Sequence, residues 1–263
     1  MPELPDVEVF RRYMEETSLH QEIAGVNLAA PEMLHGIDVS GLARNLEGAC
    51  FTSTRRHGKY MFAGTDRGGW LVLHFGMTGY LSYFRDQEQD TRHDRMRIDF
   101  ANGWHLAYDC QRKLGEIGYV ESPADIAREK ELGPDPMWPD FDREAFDRAV
   151  AGRRGSVKNL LMNQAVMAGV GNVYSDEILF QAGLHPGTKA EALDLGQRDR
   201  LFEALKEVLQ NAIDSRADPE RMPGHFLLPR RRENEECPAC GGSIQKVKLS
   251  GRSAFLCPAC QSA

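Results

Sequence analysis

Apolar residues recur at two different spacings along the chain, and this change divides it into two parts. In residues 5–19, Val7, Phe10 and Met14 stand three and four positions apart, which predicts an amphipathic helix. From about residue 22 to residue 121, short segments rich in aromatic and β-branched residues alternate with turn signals, which predicts an all-β sandwich or barrel. The predicted strands span 50–56, 59–65, 70–75, 80–84, 96–100 and 104–109.

The pattern changes after a stretch that contains three prolines, and residues 134–141 are predicted to be a linker. Helical periodicity follows it, and Asp142 and Ser156 are the predicted N-caps of the first two helices. The predicted helices span 142–151, 156–164, 173–181 and 197–213.

The fold class predicted from these patterns is α+β with two domains. An N-terminal β-sandwich domain, including the first helix, is expected at residues 1–133, followed by the linker at 134–141. A helical domain is expected at 142–234, and a small metal-binding module at 235–263.

Four of the six cysteines form two Cys-Pro-Ala-Cys pairs, Cys237 with Cys240 and Cys257 with Cys260, separated by sixteen residues. This spacing is typical of four thiolates arranged as a tetrahedron around one Zn²⁺ ion, in a closed site that is structural and not catalytic. The intervening residues predict a β-hairpin with Ser250, Gly251 and Arg252 at its tip. Arg252 is either a solvated turn charge or a contact to phosphate.

Charge is distributed unevenly along a chain whose net charge is −7. Residues 1–150 carry 26 acidic and 17 basic residues, whereas residues 151–263 carry 13 acidic and 15 basic residues. An acidic protein can still present a basic cleft, so this balance argues against nucleic-acid binding without excluding it. Residues 85–95 are rich in charge and are expected to form an exposed loop.

The sequence contains no apolar run of about 18 residues and no N-terminal hydrophobic segment, so neither a membrane span nor a signal peptide is expected. We therefore expect a cytoplasmic, nucleoid-associated protein. Cys50 and Cys110 stand alone in strand-like segments and are expected to be buried apolar residues.

The first three residues, Met1, Pro2 and Glu3, offer chemistry that an internal segment cannot. If Met1 is removed, Pro2 becomes a secondary amine that can attack an aldehyde-like carbon and form an iminium ion. Glu3 stands beside it and can transfer protons. The alternative is that Pro2 and Pro5 only begin a helix.

Two further segments have the composition of anion-binding turns. Residues 168–174, Ala-Gly-Val-Gly-Asn-Val-Tyr, place two glycines before a helix, whose N-terminus attracts anions, although a simple corner between helices has the same pattern. Residues 55–59, Arg-Arg-His-Gly-Lys, form a basic turn in which Gly58 permits close approach and Lys59 can reach a phosphate. The alternative is a solvated turn.

Five motifs in order resemble the bacterial formamidopyrimidine-DNA glycosylase / endonuclease VIII family over essentially the whole chain. They are the N-terminal Met-Pro-Glu-Leu-Pro-Asp-Val-Glu, His-Gly-Lys-Tyr at 57–60, Gly-Met-Thr-Gly at 76–79, Gly-Asn-Val-Tyr-Ser-Asp-Glu at 171–177, and the four-cysteine hairpin at 237–260. The resemblance implies a helix–two-turn–helix in the helical domain and a β-hairpin zinc finger with one structural Zn²⁺.

The activity implied by this resemblance is base-excision repair by a bifunctional DNA glycosylase and abasic-site lyase. The implied substrate is double-stranded DNA with oxidised bases (formamidopyrimidine or 8-oxoguanine-like, or oxidised pyrimidines) or abasic sites, bound by a monomer. The damaged nucleotide is flipped out of the duplex. The Pro2 amine then attacks C1′ of its sugar, Glu3 transfers protons, and β,δ-elimination follows.

The resemblance also implies roles for individual residues. Lys59 belongs to the catalytic set and, with Asn172 and Arg252, holds phosphates around the lesion, with Lys158 assisting. Three residues fall at the positions that fill the void left in the duplex: Met77, Arg112 and Leu114.

Three departures from the family pattern leave the preferred lesion open. Leu114 replaces the usual phenylalanine wedge, and the segment 214–236 is shorter than in enzymes of purine lesions. Pro-Arg-Arg-Arg at 229–232 stands where a Val-Tyr-Gly-Arg-like sequence is usual. A catalytically inactive relative that binds damaged or gapped DNA is the main alternative, and a zinc-dependent structural or interaction protein is another.

Overall fold

The computed structural model describes residues 1–85 and 92–261. Most of the predicted charged loop, residues 86–91, lies outside the described residues. The helices are α1 (Leu4–Ser18), α2 (Val39–Leu46), α3 (Pro123–Glu129), α4 (Arg143–Val150), α5 (Val157–Met162), α6 (Asn172–Gln181) and α7 (Leu195–Asp214). The strands are β1 (Ile23–Leu28), β2 (Leu34–His35), β3 (Phe51–His57), β4 (Tyr60–Thr65), β5 (Trp70–His74), β6 (Gly79–Phe84), β7 (Asp94–Phe100), β8 (His105–Cys110), β9 (Glu116–Val120), β10 (Gln245–Leu249) and β11 (Arg252–Leu256).

The described chain forms two compact units. The first contains Met1–Pro2 and Asp6–Lys130, and the second contains Glu3–Pro5 and the chain from Glu131 onward. The chain therefore passes from one unit to the other within its first six residues. The predicted domain boundaries at 133, 141 and 234 stay a prediction.

The first unit consists of two β-sheets around a shared apolar core. One sheet has the strand order β1-β7-β8-β6 and the other has the order β2-β9-β5-β4-β3. Alternate strand residues point into the core, which also receives Val7 and Met14 from α1. The predicted β-sandwich with an N-terminal helix is thereby confirmed.

Two helices of the first unit, α2 and α3, were not predicted, because residues 22–121 were predicted to be strand-rich and the next helix was predicted only from residue 142. In α2, Leu42 and Leu46 lie one helical turn apart and are both fully buried. The Asp38 carboxylate accepts a hydrogen bond from the Gly41 N–H at 2.6 Å and so caps the N-terminus of the helix. The cap and the apolar spacing override the strand-like surroundings. Cys50 also differs from the expectation, because it is only partly buried, whereas Cys110 is buried.

The second unit begins as a helical bundle, as predicted. Asp142 and Ser156 cap α4 and α5, because their side chains accept hydrogen bonds from the N–H groups of Ala145 and Asn159. The core of this unit lies among α4, α5, α6 and α7. Its members include Phe146, which is fully buried. No helix among residues 1–85 and 92–261 is long and apolar enough to cross a membrane.

The last two strands, β10 and β11, pair as an antiparallel hairpin in which Leu249 is opposite Arg252. Ser250 and Gly251, both with positive φ, form the two-residue turn. Arg252 was expected at the tip of the hairpin. It is instead the first residue of β11, immediately after the turn. Positive φ at both central positions is characteristic of the type I′ turn, whose twist matches that of the two flanking strands.

Close packing against β5 and β8 in the first unit depends on Gly115, which immediately precedes β9. A Cβ atom added to Gly115 would lie 1.8 Å from the Tyr108 hydroxyl oxygen and 2.5 Å from the His74 carbonyl oxygen. The Tyr108 hydroxyl itself donates to the His74 carbonyl at 2.9 Å. A side chain at position 115 would therefore clash with both partners of this hydrogen bond.

Gly115→Ala is expected to lower the free energy of unfolding by about 3 kcal/mol, because neither a fully buried ring nor a strand carbonyl can move aside cheaply. Gly118→Ala is the matched control, since its added Cβ would be 3.2 Å from its nearest neighbour, the His35 carbonyl oxygen. Urea denaturation should show a loss below about 1 kcal/mol for this control. Equal losses in the two variants would contradict the packing argument.

Candidate active site

Glu3 occupies the N-terminus of α6. Its carboxylate accepts hydrogen bonds from three backbone N–H groups, those of Gly171 at 2.7 Å, Val173 at 2.9 Å and Tyr174 at 3.3 Å. The N-cap position of α6 is Gly171, which has no side chain to cap the helix. The Glu3 side chain, 168 positions earlier in the sequence than Gly171, supplies that cap. The helix dipole favours its negative charge.

Two features lock Glu3 in this position. The next residue, Leu4, is fully buried in the core of the second unit, and its N–H donates to the Gly169 carbonyl at 3.0 Å. A Cβ atom added to Gly171 would lie 2.4 Å from the Glu3 carboxyl carbon, so only glycine fits there. Glu3 itself is 2% exposed. The carboxylate therefore has one fixed place.

Pro2 and Lys59 both belong to the first unit. Pro2 is joined by its peptide bond to Glu3 and is partly buried. Lys59 lies in the two-residue turn between β3 and β4, where His57 pairs with Tyr60, and it is 8% exposed. Gly58 has φ of 56°, a left-handed conformation that suits glycine in this turn.

Lys158 on α5 is buried against α6. Its Nζ donates to the Asp176 carboxylate, to the Ser175 hydroxyl at 3.1 Å and to the Asn172 carbonyl at 3.3 Å. Burial lowers the pKa of Lys158, and the Asp176 carboxylate opposes that effect. All three donors of the ammonium group face partners inside the second unit, and the side chain is 1% exposed.

Asn172 is the first residue of α6, next to Gly171, and its amide oxygen Oδ1 is buried without a hydrogen-bond partner among the described residues. Its backbone carbonyl accepts from Lys158, from the Ser175 hydroxyl at 3.2 Å and from Arg231 at 3.4 Å. Glu3, Asn172 and Lys158, three residues singled out from the sequence, thus lie within one neighbourhood at the N-terminal end of α6.

Met77, Arg112 and Leu114 lie together on adjacent loops of the first unit. The Arg112 N–H donates to the Thr78 hydroxyl at 3.2 Å. Gly76 packs against the backbone of Leu114, where an added Cβ would lie 2.4 Å from the Leu114 carbonyl carbon. Met77 is 41% exposed and Leu114 is 53% exposed. Large apolar side chains that are exposed in this way are available for contact with a ligand.

The four C-terminal cysteines meet as predicted, with all four Sγ atoms within 4.8 Å of one another. Cys237 Sγ lies 3.8 Å from Cys260 Sγ, and Cys240 Sγ lies 3.5 Å from Cys257 Sγ. Four sulfur ligands about 2.3 Å from a tetrahedral Zn²⁺ stand about 3.8 Å apart, so the arrangement fits this ion. The Gly242 N–H lowers the pKa of Cys240 to about 7, whereas burial raises the pKa of Cys237 and of Cys260.

The structural roles of two charged residues near α6 were not predicted from the sequence. Glu177 on α6 is fully buried and accepts from the N–H groups of Leu227 at 3.1 Å and Leu228 at 2.6 Å, and burial raises its pKa to about 7. Arg231, noted in the sequence only as a departure from the family pattern, pairs with Asp176. The sequence signal was the placement of Asp176 and Glu177 in a helix that is otherwise largely apolar.

Three family models match consecutive parts of the chain. The N-terminal domain of formamidopyrimidine-DNA glycosylase matches residues 1–117, and its H2TH domain matches residues 132–222. A zinc finger found in FPG and IleRS matches residues 234–263. The helix–two-turn–helix, the zinc finger and its one structural Zn²⁺ are therefore confirmed.

The similarity to relatives and to solved structures extends over the full length of the chain. Formamidopyrimidine-DNA glycosylase of Geobacter metallireducens is 35% identical over 269 residues, covering 100% of both chains. That of Acaryochloris marina is 33% identical and covers 99% of both. Lactococcus lactis formamidopyrimidine-DNA glycosylase, bound to DNA with an AP site, is 28% identical with a TM-score of 0.88, covering 99% of this chain and 100% of that one.

A second solved structure is MutM in complex with DNA that contains carbocyclic 8-oxo-G. It is 29% identical, has a TM-score of 0.89 and covers 100% of both chains. Because the three models together span both units and the hairpin, and the likeness to these proteins runs from end to end, the chain belongs to the formamidopyrimidine-DNA glycosylase family of bifunctional DNA glycosylases and abasic-site lyases.

Proposed function

We propose that this protein excises oxidised bases from double-stranded DNA and cleaves the resulting abasic site through a Schiff base on Pro2. The observation that carries the proposal is the position of Glu3. One peptide bond from Pro2, a buried carboxylate is fixed by three N–H donors at the start of α6. A nucleophile needs a proton-transfer group held at a fixed distance, and direct peptide linkage supplies one.

The proposed reaction requires no oxidant or reductant. After removal of Met1, the Pro2 nitrogen forms a bond to C1′ of the flipped nucleotide, the glycosidic bond breaks, and the base leaves with a proton. The Pro2 nitrogen gives up its proton to the Glu3 carboxylate, which passes it to the sugar ring oxygen as the ring opens to the iminium ion. Loss of a C2′ proton expels the 3′-phosphate, and a second elimination expels the 5′-phosphate, leaving a gap of one nucleotide. Water then hydrolyses the iminium bond, which releases the unsaturated sugar remnant and restores the Pro2 amine.

DNA is the proposed partner, on the strength of family relatives solved with abasic-site and 8-oxo-G DNA. Lys59, Asn172 and Arg252 would hold phosphates, with Lys158 supporting Asn172 from inside the protein. Met77, Arg112 and Leu114 would enter the void left by the flipped nucleotide. We propose a monomer that works in the cytoplasm on the nucleoid, with the domain boundaries predicted above.

The substrate range proposed is oxidised purines of the formamidopyrimidine and 8-oxoguanine type, with oxidised pyrimidines as a further class. Leu114 is the residue that bears on this choice. Leucine fills space between unstacked bases but stacks less well than an aromatic ring. The lesion panel in the trapping experiment below should therefore include both purine and pyrimidine lesions.

Borohydride reduction on a duplex with an abasic site should trap a covalent adduct with the wild-type protein, and Pro2→Gly should lose it, because the iminium ion forms on the proline nitrogen. Intact mass should show a chain without Met1. Pro5→Ala is the control, since it alters the same segment and leaves the terminal amine unchanged. If the wild type forms no adduct yet binds gapped duplex tightly, the inactive relative is the better description.

Gly171→Ala should slow base excision about 100-fold, because the new methyl group would occupy the place of the Glu3 carboxylate and misplace its proton transfer. Single-turnover excision on a duplex with a formamidopyrimidine lesion measures this loss. Gly196→Ala, in the first turn of α7, is the matched control, because its added Cβ would meet its nearest neighbour at 3.4 Å. An active Gly171→Ala protein would remove the basis for assigning proton transfer to Glu3.

Removal of zinc should weaken binding to a duplex with an abasic site at least about tenfold, since the hairpin that bears Arg252 has little core of its own. Elemental analysis should give one zinc per chain before chelation and none afterwards. Cys240→Ser should reproduce the effect without chelator. Unchanged binding by the metal-free protein would show that the hairpin contributes nothing to DNA affinity.

A further inference from the structure

Arg231 lies between the zinc hairpin and the helix that carries Asn172. Its Nε donates to Asp176 Oδ2 at 2.9 Å and its Nη2 donates to the same oxygen at 2.6 Å. Its Nη2 also reaches the Asn172 carbonyl at 3.4 Å. On the other side, the guanidinium carbon lies 4.6 Å from the centre of the Phe255 ring in β11. One side chain thus contacts both elements.

The Asp176 carboxylate is shared by two cations. Lys158 contacts Oδ1 and Arg231 contacts Oδ2, and the Asp176 side chain is fully buried. Lys158 belongs to α5, whereas Arg231 belongs to the segment that precedes the hairpin. Because Lys158 remains paired with Asp176 when Arg231 is removed, the carboxylate keeps one compensating charge. Arg231 is therefore not required to neutralise a buried carboxylate.

The hairpin has other attachments to the second unit: β11 packs directly on α6, and beyond β11 the Gln261 amide donates to the Leu184 carbonyl at 2.9 Å in a buried hydrogen bond. Near its turn, the Asn159 amide donates to the Ser250 hydroxyl at 2.9 Å, an exposed hydrogen bond. At its base, a small apolar cluster includes Phe180, Leu227 and Ile244. Phe255 packs only at the edge of that cluster and is partly buried. Arg231 fastens the middle of the hairpin to α6, between these two attachments.

We propose that Arg231 is a positioning residue that holds the zinc hairpin and the N-terminal turn of α6 in one fixed arrangement, so that Arg252 and Asn172 can engage phosphates of the same DNA backbone together. Two hydrogen bonds to one oxygen of Asp176 set the orientation of the guanidinium, which also lies within cation–π distance of Phe255. The functional part of this inference rests on the proposed activity. The mechanical part concerns only the coupling of β11 to α6.

The test compares Arg231→Met with Arg232→Met. Arg232 is the adjacent, exposed arginine, and its side chain forms no hydrogen bond or ion pair within residues 1–85 and 92–261. Both variants lose one positive charge. Hydrogen exchange of the amides in residues 245–256 should become at least about tenfold faster in Arg231→Met and remain unchanged in Arg232→Met. This measurement needs neither DNA nor activity.

On a duplex with an abasic site, Arg231→Met should raise KM about tenfold and leave kcat within about twofold, since the reacting atoms are untouched. The slope of log K against log salt should fall in magnitude by about 0.9, the equivalent of one lost phosphate contact. Arg231→Lys should not restore either value, because an ammonium group lacks the planar fork that binds Asp176 and stacks on Phe255.

Three results would overturn the inference: hairpin exchange in Arg231→Met at the wild-type rate, full rescue by Arg231→Lys, or equal effects in Arg232→Met. Phe255→Leu gives an independent route, since it removes the stacked ring and leaves the Asp176 ion pair intact, and it should loosen the hairpin to a similar degree. If the wild type lacks lyase activity but the exchange result stands, the proposed function fails and the mechanical coupling does not.

Discussion

The structure depends on one hydrogen-bonded group, the Glu3 carboxylate at the N-terminus of α6. A helix leaves its first N–H groups without partners, and α6 begins at a glycine that cannot satisfy them. The carboxylate of residue 3 satisfies three of them. The same contact completes the helix and fixes the residue next to the proposed nucleophile, so a structural need and a chemical need are met by one side chain.

The charged residues around α6 contribute to the fold in different ways. Lys158 and Asp176 are removed from water and compensate each other, an arrangement that rarely adds net stability but fixes geometry. Glu177 uses both carboxylate oxygens to hold the backbone of Leu227 and Leu228, which fixes the segment leading to the zinc hairpin. The buried polar groups of α6 thus organise three neighbouring segments. This explains why a central helix carries acidic residues where apolar ones would pack more simply.

Local signals predicted most of the fold. The strands and helices, their caps and the cysteine cluster depend on short-range spacing, which a single sequence displays directly. The helices α2 and α3 were missed because seven or eight residues carry too few apolar repeats to stand out beside strands, although Asp38 and Ser122 cap them. The partnership of Glu3 with Gly171 could not be predicted from the residues alone, because 168 positions separate them. The same holds for Arg231 and Asp176, whose pairing depends on the tertiary fold.

The division of the first six residues between the two units has a consequence for biosynthesis. Glu3 and Leu4 leave the ribosome well before their partners between Gly169 and Tyr174, since 168 positions separate Glu3 from Gly171. Before these residues are made, the Glu3 carboxylate lacks the N–H donors that it accepts from in the folded protein. A nascent or prematurely terminated polypeptide that lacks α6 therefore cannot form the hydrogen bonds that hold the Glu3 carboxylate, and this part of the fold is completed only after the helical half has been translated.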